Sequence, residues 1–155
     1  MHLYVRRLTP LLSKIANPKT TTRAMATQHT PSSSDRLNIF STPLRPHSLQ
    51  PPTGYVRDGY CHAPASDPGN HSVAAILTPE FLEFSKSRGN DLTSIGLKGG
   101  CKWCLCVSRW KEALLAHGRG EVGKDAVPRV VLGATGRRAL EGCSVDELVQ
   151  WKADE

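Results

Sequence analysis

Three short apolar runs, each followed by residues that can begin a helix, constrain the fold of this 155-residue chain more than any other feature. They cover residues 73–77, 102–107 and 127–132, which are lengths typical of buried strands. After the first run, Thr78-Pro79-Glu80 supplies an N-cap hydroxyl, an early proline and a carboxylate. Ser108 and Thr135 are the N-cap candidates after the other two. This alternation predicts an α/β or α+β fold, a small single domain with about three short strands alternating with helices.

The ends of the predicted helices are also marked. Gly89 stops the first helix, and Gly118 stops the second, predicted over residues 109–117. We also predict a short helix that is capped by Thr135 and continues through residue 140. Ser144 and Glu147 form a capping box for the last helix, predicted over residues 145–152.

An irregular arm rich in Pro, Gly, Ser and Asp precedes this region, over residues 37–69. Its composition favours turns and short extended pieces over helices. A long arm of this kind either wraps the core or carries function. We therefore predict one globular domain over residues 35–155, with the arm as its first part.

Residues 1–34 differ from the rest of the chain in composition. They contain no Asp or Glu, five Lys or Arg and ten Ser or Thr, which is typical of an organelle transit peptide. We expect a disordered segment that directs the protein to mitochondria. The alternatives are a plain disordered tail and a cytoplasmic form translated from Met25.

The net charge of +6 does not indicate a nucleic-acid partner. Five of the 20 Lys and Arg residues precede Asp35, so 15 basic side chains face 14 acidic ones in the remainder, a net charge of +1. A phosphate-binding domain keeps its positive excess in the folded part. No apolar stretch reaches the roughly 18 residues of a membrane span, which predicts a soluble protein. A protein partner and a small-molecule partner both stay open.

Three of the five cysteines lie within Cys101-Lys102-Trp103-Cys104-Leu105-Cys106. An odd number of cysteines without a secretory leader argues against a disulfide scaffold, so we expect thiols, metal ligands or catalytic groups. In a strand over residues 102–107, Cys104 and Cys106 point to one face with Cα atoms roughly 6.5 to 7 Å apart. Two thiolates at that separation share a metal more easily than they form a disulfide.

The first functional hypothesis is therefore a thiol-bearing or metal-bearing site around Cys104 and Cys106. Zinc suits such ligands, and the side chains that could complete its coordination are Cys61, His47 and His71. Cys101 and Cys104 also form a C-x-x-C, but a redox motif belongs at a helix N-terminus, whereas this one enters a predicted strand. The second hypothesis is a non-catalytic accessory or interaction protein whose cysteines pack in the core.

A third hypothesis is an enzyme that acts on a small polar substrate. Its candidate residues are Arg57, Asp58 and His71, with Arg109 at the start of the second predicted helix. The structural alternative is that Arg57 and Asp58 hold a turn before Gly59 and that His71 only begins a strand.

Three blocks of the sequence resemble the family named domain of unknown function 2237: STPLRPHSLQPPTGYVRDGYC, TPEFLEFSKSRGNDL and WCLCVSRWKEA. The resemblance runs from about residue 40 to residue 148, and W-C-L-C-x-x-R-W is its most specific part. The family has no assigned activity, so the resemblance implies membership and no mechanism. It also implies that His47 replaces a family cysteine and that Cys101 stands where the family usually has an aspartate.

Overall fold

The computed structural model describes residues 36–154. In this part of the chain, three strands and three α-helices form an α+β fold, with the bounds β1 Val73–Ile76, α1 Pro79–Ser87, β2 Lys102–Leu105, α2 Val107–Gly118, β3 Arg129–Val130 and α3 Val145–Gln150. The small α+β fold predicted from the alternating pattern is confirmed. The import segment predicted for residues 1–34 lies outside the described residues.

The three strands form one antiparallel sheet in the order β2–β1–β3. β1 pairs along its full length with β2, with Val73 opposite Leu105 and Ile76 opposite Lys102. On its other edge, β1 pairs with the two residues of β3. Because both pairs are antiparallel, the α+β alternative of the prediction holds, and the α/β alternative, which is built on parallel strands, does not.

The central strand is buried on both faces, which explains its uninterrupted apolar sequence. Val73 and Ala75 belong to the main core, whose helical members include Phe81 and Trp110. Ala74 lies between them and faces the other side of the sheet, because side chains alternate along a strand. There it belongs to a second cluster, formed by Cys61, Ala74, Cys104, Val131 and Ala134.

The irregular arm lies against this second face. The Cys104 amide donates to Thr53 Oγ1 at 2.7 Å, and His47 Nε2 bonds to the Ala75 carbonyl oxygen at 3.0 Å. As its composition predicted, the arm consists of turns and isolated β-bridges. The arm therefore wraps the sheet on the face opposite the helices.

The first and last helices begin as predicted. Thr78 is the N-cap of α1, and its side chain accepts a hydrogen bond from the Phe81 amide. The capping box of Ser144 and Glu147 begins α3. None of the helices in residues 36–154 is long and apolar enough to cross a lipid bilayer.

The second strand is shorter than predicted, and this changes the position of Cys106. β1 begins at Val73, opposite Leu105, so it offers no partner to the residue that follows. The Val107 amide donates instead to the Asn70 carbonyl oxygen at 3.1 Å. Cys106 is therefore the N-cap of α2, and the prediction of Ser108 as that cap is wrong.

The third strand and the helix after it are also shorter than predicted. A 3-10 turn, Leu132–Ala134, follows β3, and a second 3-10 turn, Arg137–Glu141, replaces the predicted helix. Thr135 does not cap a helix. Its hydroxyl donates to the Val131 carbonyl at 3.0 Å and accepts from the Ala74 amide at 3.2 Å, so it extends the contacts of the central strand.

Candidate functional site

Cys106 lies where β2 has ended and α2 begins. Its carbonyl oxygen accepts hydrogen bonds from the Arg109 and Trp110 amides, both at 3.1 Å. Its sulfur makes no capping bond to the helix. The sulfur therefore lies at the positive end of the helix dipole and is available to other groups, and a helix N-terminus is a position where cysteines become reactive.

The partner of Cys106 is His71. The Nε2 atom of His71 lies 3.0 Å from Cys106 Sγ, and its Nδ1 atom lies 2.8 Å from Asp67 Oδ1. An ionised carboxylate only accepts hydrogen bonds, so Nδ1 carries a proton and Nε2 is the nitrogen that exchanges a proton with the sulfur. Three side chains thus stand in contact in the order Asp67, His71, Cys106.

A tight turn of the arm holds Asp67 and His71. The Asp67 side chain is fully buried, and its carboxylate accepts from the Gly69 amide at 3.0 Å and from the His71 amide at 2.7 Å. These donors compensate the burial of its charge. A Cβ at Gly69 would lie 2.5 Å from His71 Cε1 and 3.2 Å from Cys106 Sγ. A glycine is therefore needed for the imidazole and the sulfur to meet.

The electrostatics of the pair favour the charged form of His71. The pKa of His71 is raised from 6.5 to about 9: the hydrogen bond with Cys106 is the largest cause, burial opposes it, and Asp67 adds to it. His71 is therefore a cation at neutral pH. The imidazolium therefore carries a proton on Nε2, the nitrogen that faces Cys106 Sγ.

Solvent reaches this pair. The His71 side chain is 34% exposed, and Cys106 is half-buried. The Tyr55 ring stacks beside the imidazole, with the ring centroids 6.2 Å apart and the planes at 23°. The Tyr55 hydroxyl donates to the Ser66 carbonyl oxygen at 3.2 Å, which fixes the ring as a wall beside His71.

The remaining cysteines have different environments. Cys61 and Cys104 form a disulfide with a Cα–Cα distance of 5.2 Å. Cys143 is buried, and burial raises the pKa of its thiol to about 11, so it stays protonated. Cys101 is half-buried and not bonded to another cysteine. The expectation that all five are thiols, ligands or catalytic groups is wrong for Cys61 and Cys104, because the arm brings them together across the sheet.

The structure separates the two cysteines that the sequence placed on one face. Cys104 bonds to Cys61, whereas Cys106 lies beyond the strand and contacts His71. Sulfurs joined in a disulfide are not thiolates and do not bind zinc as such. Residues 36–154 contain no group of three or more His, Cys, Asp or Glu side chains that could hold a metal ion. The predicted zinc set, which also included His47, is not assembled in this part of the chain.

The residues of the enzyme hypothesis have different partners. Only His71 among them belongs to the contacts described for Cys106. The Arg57 guanidinium lies over the Trp103 ring, 4.6 Å from its centroid. Arg109 pairs with Glu112 at 3.1 Å.

The fourth residue of that hypothesis, Asp58, belongs to a second pair of aspartate and histidine. His62 Nε2 lies 2.9 Å from Asp58 Oδ2. The His62 side chain is 6% exposed, and its Nδ1 atom is buried without a hydrogen-bond partner in the described residues. The pair lines a cavity of about 190 Å³ together with Arg36, Pro43, Leu44 and Tyr60.

Sequence reasoning selected Cys106 and His71 but missed Asp67. The signal that could have found it is the D-x-x-x-H spacing around a Pro-Gly turn, which places a carboxylate and an imidazole four residues apart. The same spacing joins Asp58 to His62.

The described residues thus form a small α+β fold in which a cysteine at a helix N-terminus, a histidine and an aspartate lie in contact. The chain belongs to the family described as an uncharacterized protein conserved in bacteria (DUF2237), whose model matches residues 37–152. The family resemblance seen in the sequence is confirmed. No curated protein matches the chain.

Proposed function

We propose that this protein is an enzyme in which the Cys106 thiolate acts as the nucleophile of an acyl transfer or hydrolysis. The observation that carries the proposal is the 3.0 Å contact between His71 Nε2 and Cys106 Sγ. A nucleophile, an adjacent base and a carboxylate that orients the base are the parts of a cysteine-dependent acyl-transfer site. Asp67 supplies the third part through His71 Nδ1.

His71 can supply or accept the proton that each step of this reaction needs. The thiolate adds to the carbonyl carbon of an ester or thioester, and imidazolium His71 gives its Nε2 proton to the leaving oxygen or sulfur as that bond breaks. The acyl group is then held on Cys106 as a thioester. Neutral His71 takes a proton from a water molecule, whose oxygen attacks the thioester, and the carboxylic acid leaves as the thiolate and the imidazolium form again.

Two further observations support this role. Cys106 lies at the N-terminus of α2, a helix of 12 residues, where the dipole stabilises negative charge on the sulfur. The imidazole is 34% exposed while the Asp67 carboxylate is fully buried, so a substrate can reach the proton donor but not the group that orients it.

The full chain incubated with p-nitrophenyl acetate tests the proposal. We expect nitrophenol release and, by peptide mass spectrometry, an acetyl group on Cys106. Cys101 is the internal control because it is also half-buried and free of a disulfide. Cys106→Ser should remove the reaction and Cys101→Ser should keep it. Equal acetylation of the two thiols in the native protein would contradict the proposal.

A further inference from the structure

We propose that Arg138 and Asn70 are positioning residues of the thiol site: they hold the turn that carries Asp67 and His71 against the start of α2. This inference rests on the proposed function of Cys106. It concerns how two parts of the chain that are far apart in sequence keep a fixed position relative to each other.

The halves of the site come from different elements. Asp67 and His71 lie in the arm, whereas Cys106 lies at the junction of β2 and α2, 35 residues after His71. A contact of 3.0 Å between side chains of separate elements needs both backbones to be held. One direct backbone bond joins them, from the Val107 amide to the Asn70 carbonyl oxygen at 3.1 Å.

Asn70 is fixed at every polar group. Its φ angle of 47° lies in the left-handed region, which asparagine tolerates better than most residues. Its Nδ2 donates to the Arg138 carbonyl oxygen at 2.9 Å and to Glu141 Oε2 at 3.1 Å. Its Oδ1 accepts from the Ser72 hydroxyl at 2.6 Å. The residue directly before His71 therefore has one orientation relative to α2 and to the turn Arg137–Glu141.

Arg138 fixes the other end of the same turn of the arm. Its Nη1 donates to the Ala63 and Pro64 carbonyl oxygens, both at 2.9 Å. The Pro64 carbonyl oxygen also accepts from the Asp67 amide at 2.8 Å, so Arg138 meets the turn where Asp67 enters it. The Nε and Nη2 atoms bind the two oxygens of Glu141 at 2.8 and 2.9 Å, a bidentate geometry that orients the guanidinium.

The contacts form a closed frame around the aspartate and histidine. Arg138 binds the arm before Asp67, Glu141 joins Arg138 to Asn70, and Asn70 joins the end of the turn to the start of α2. The side-chain hydrogen bonds described for Arg138 and Glu141 reach the arm and one another, so we infer that they act on the thiol through the position of His71.

The experiment compares Arg138→Gln with Arg137→Gln, a matched control at the exposed neighbouring arginine. The first readout is the iodoacetamide rate of Cys106 relative to Cys101 in the same molecule at pH 7. We expect Arg138→Gln to lower this ratio about tenfold, since small displacements of paired reacting groups have effects of at least this order. The second readout is the titration of the His71 ring by NMR, whose midpoint should fall toward 6.5. Arg137→Gln should leave both at wild-type values.

The two readouts separate the failure of this inference from that of the proposed function. A wild-type Cys106 no faster than Cys101 would overturn the proposed function, while the His71 titration would still report on the frame. A folded Arg138→Gln with both readouts unchanged would overturn the positioning role. If Arg138→Gln does not fold, Glu141→Gln tests the positioning role instead. We expect it to lower the rate ratio of Cys106 to Cys101 about threefold, because an amide nitrogen then replaces one acceptor oxygen of the frame. Arg138→Lys should restore part of the ratio by donating to the same carbonyls.

Discussion

Two pairs of aspartate and histidine lie in the arm with the same four-residue spacing, and they differ in what the second ring nitrogen meets. His71 binds Asp67 through Nδ1 and presents Nε2 to Cys106 Sγ. His62 binds Asp58 through Nε2, and its Nδ1 is buried without a partner in the described residues. A carboxylate fixes the orientation of an imidazole in both cases. The group that the second ring nitrogen contacts decides whether the pair can transfer a proton to a reacting side chain.

Burial is also reversed between the pairs. In the first pair the carboxylate is fully buried and the imidazole is 34% exposed. In the second pair the carboxylate is 39% exposed and the imidazole is 6% exposed. Of these two imidazoles, that of His71 is the one exposed enough to pass a proton to a molecule that arrives from solvent, which favours a structural role for His62 at the wall of its cavity.

The change expected to affect both pairs most is removal of the disulfide, because Cys61 anchors the arm beside them. The double variant Cys61→Ala with Cys104→Ala should lose about 3 to 4 kcal/mol of unfolding free energy, the loop-closure effect for a sequence separation of 43. Urea denaturation measures this loss. Wild-type protein in excess dithiothreitol should behave like the double variant, and equal stability of oxidised and reduced protein would contradict the role of the disulfide.

The next largest effect separates the pairs. His71→Gln should lower the iodoacetamide rate of Cys106 at pH 7 about a hundredfold, the order of effect of losing a positioned acid or base. His62→Gln is the matched control and should keep that rate. Comparable losses in the two variants would remove the distinction drawn between the pairs.

A pH series sharpens the comparison through the charge of His71. Its pKa in the folded protein, about 9, lies above the ordinary value of 6.5, so its stabilising contribution is complete below pH 6.5 and is lost as the pH rises through 9. The stability advantage of wild type over His71→Gln should therefore shrink between pH 6.5 and 9. We expect a decrease on the order of 1 kcal/mol, since solvent screens a side chain that is one-third exposed. Denaturant titrations at both pH values measure it, and an advantage that grows with pH would reverse the assignment.

The smallest effect concerns the aromatic neighbours of the pairs. Tyr55→Leu should lower the Cys106 rate about threefold, because the ring that stacks on His71 contributes about 0.5 to 1.5 kcal/mol to such contacts. Tyr60→Leu changes the tyrosine beside His62 and should have no effect on that rate. The rate ratio of Cys106 to Cys101 is the measurement, and identical behaviour of the two variants would show that stacking on His71 plays no part.

Local signals in the sequence predicted much of the fold. The Thr78 cap and the Ser144–Glu147 capping box are interactions within one turn of chain, and both occur where the sequence placed them. The three strands follow from short apolar runs. The end of β2 did not follow, because it depends on where β1 begins to offer partners, and that is a property of two segments together.

The candidate site was predicted only in part for the same reason. Cys106 and His71 stood out by residue type, but their contact depends on a turn of the arm that docks on α2 through Asn70. The disulfide was missed because Cys61 and Cys104 meet through the path of the arm across the sheet. The spacing of the cysteines along the chain does not predict that path.

The disulfide also determines what a cut in the backbone would do. Cleavage after exposed Lys98 would leave His71 on the N-terminal fragment and Cys106 on the C-terminal fragment. Cys61 belongs to the first fragment and Cys104 to the second, so the two would stay covalently joined after the peptide bond is lost. A reductant, rather than the cut itself, would then break the last covalent link between the fragment with His71 and the fragment with Cys106.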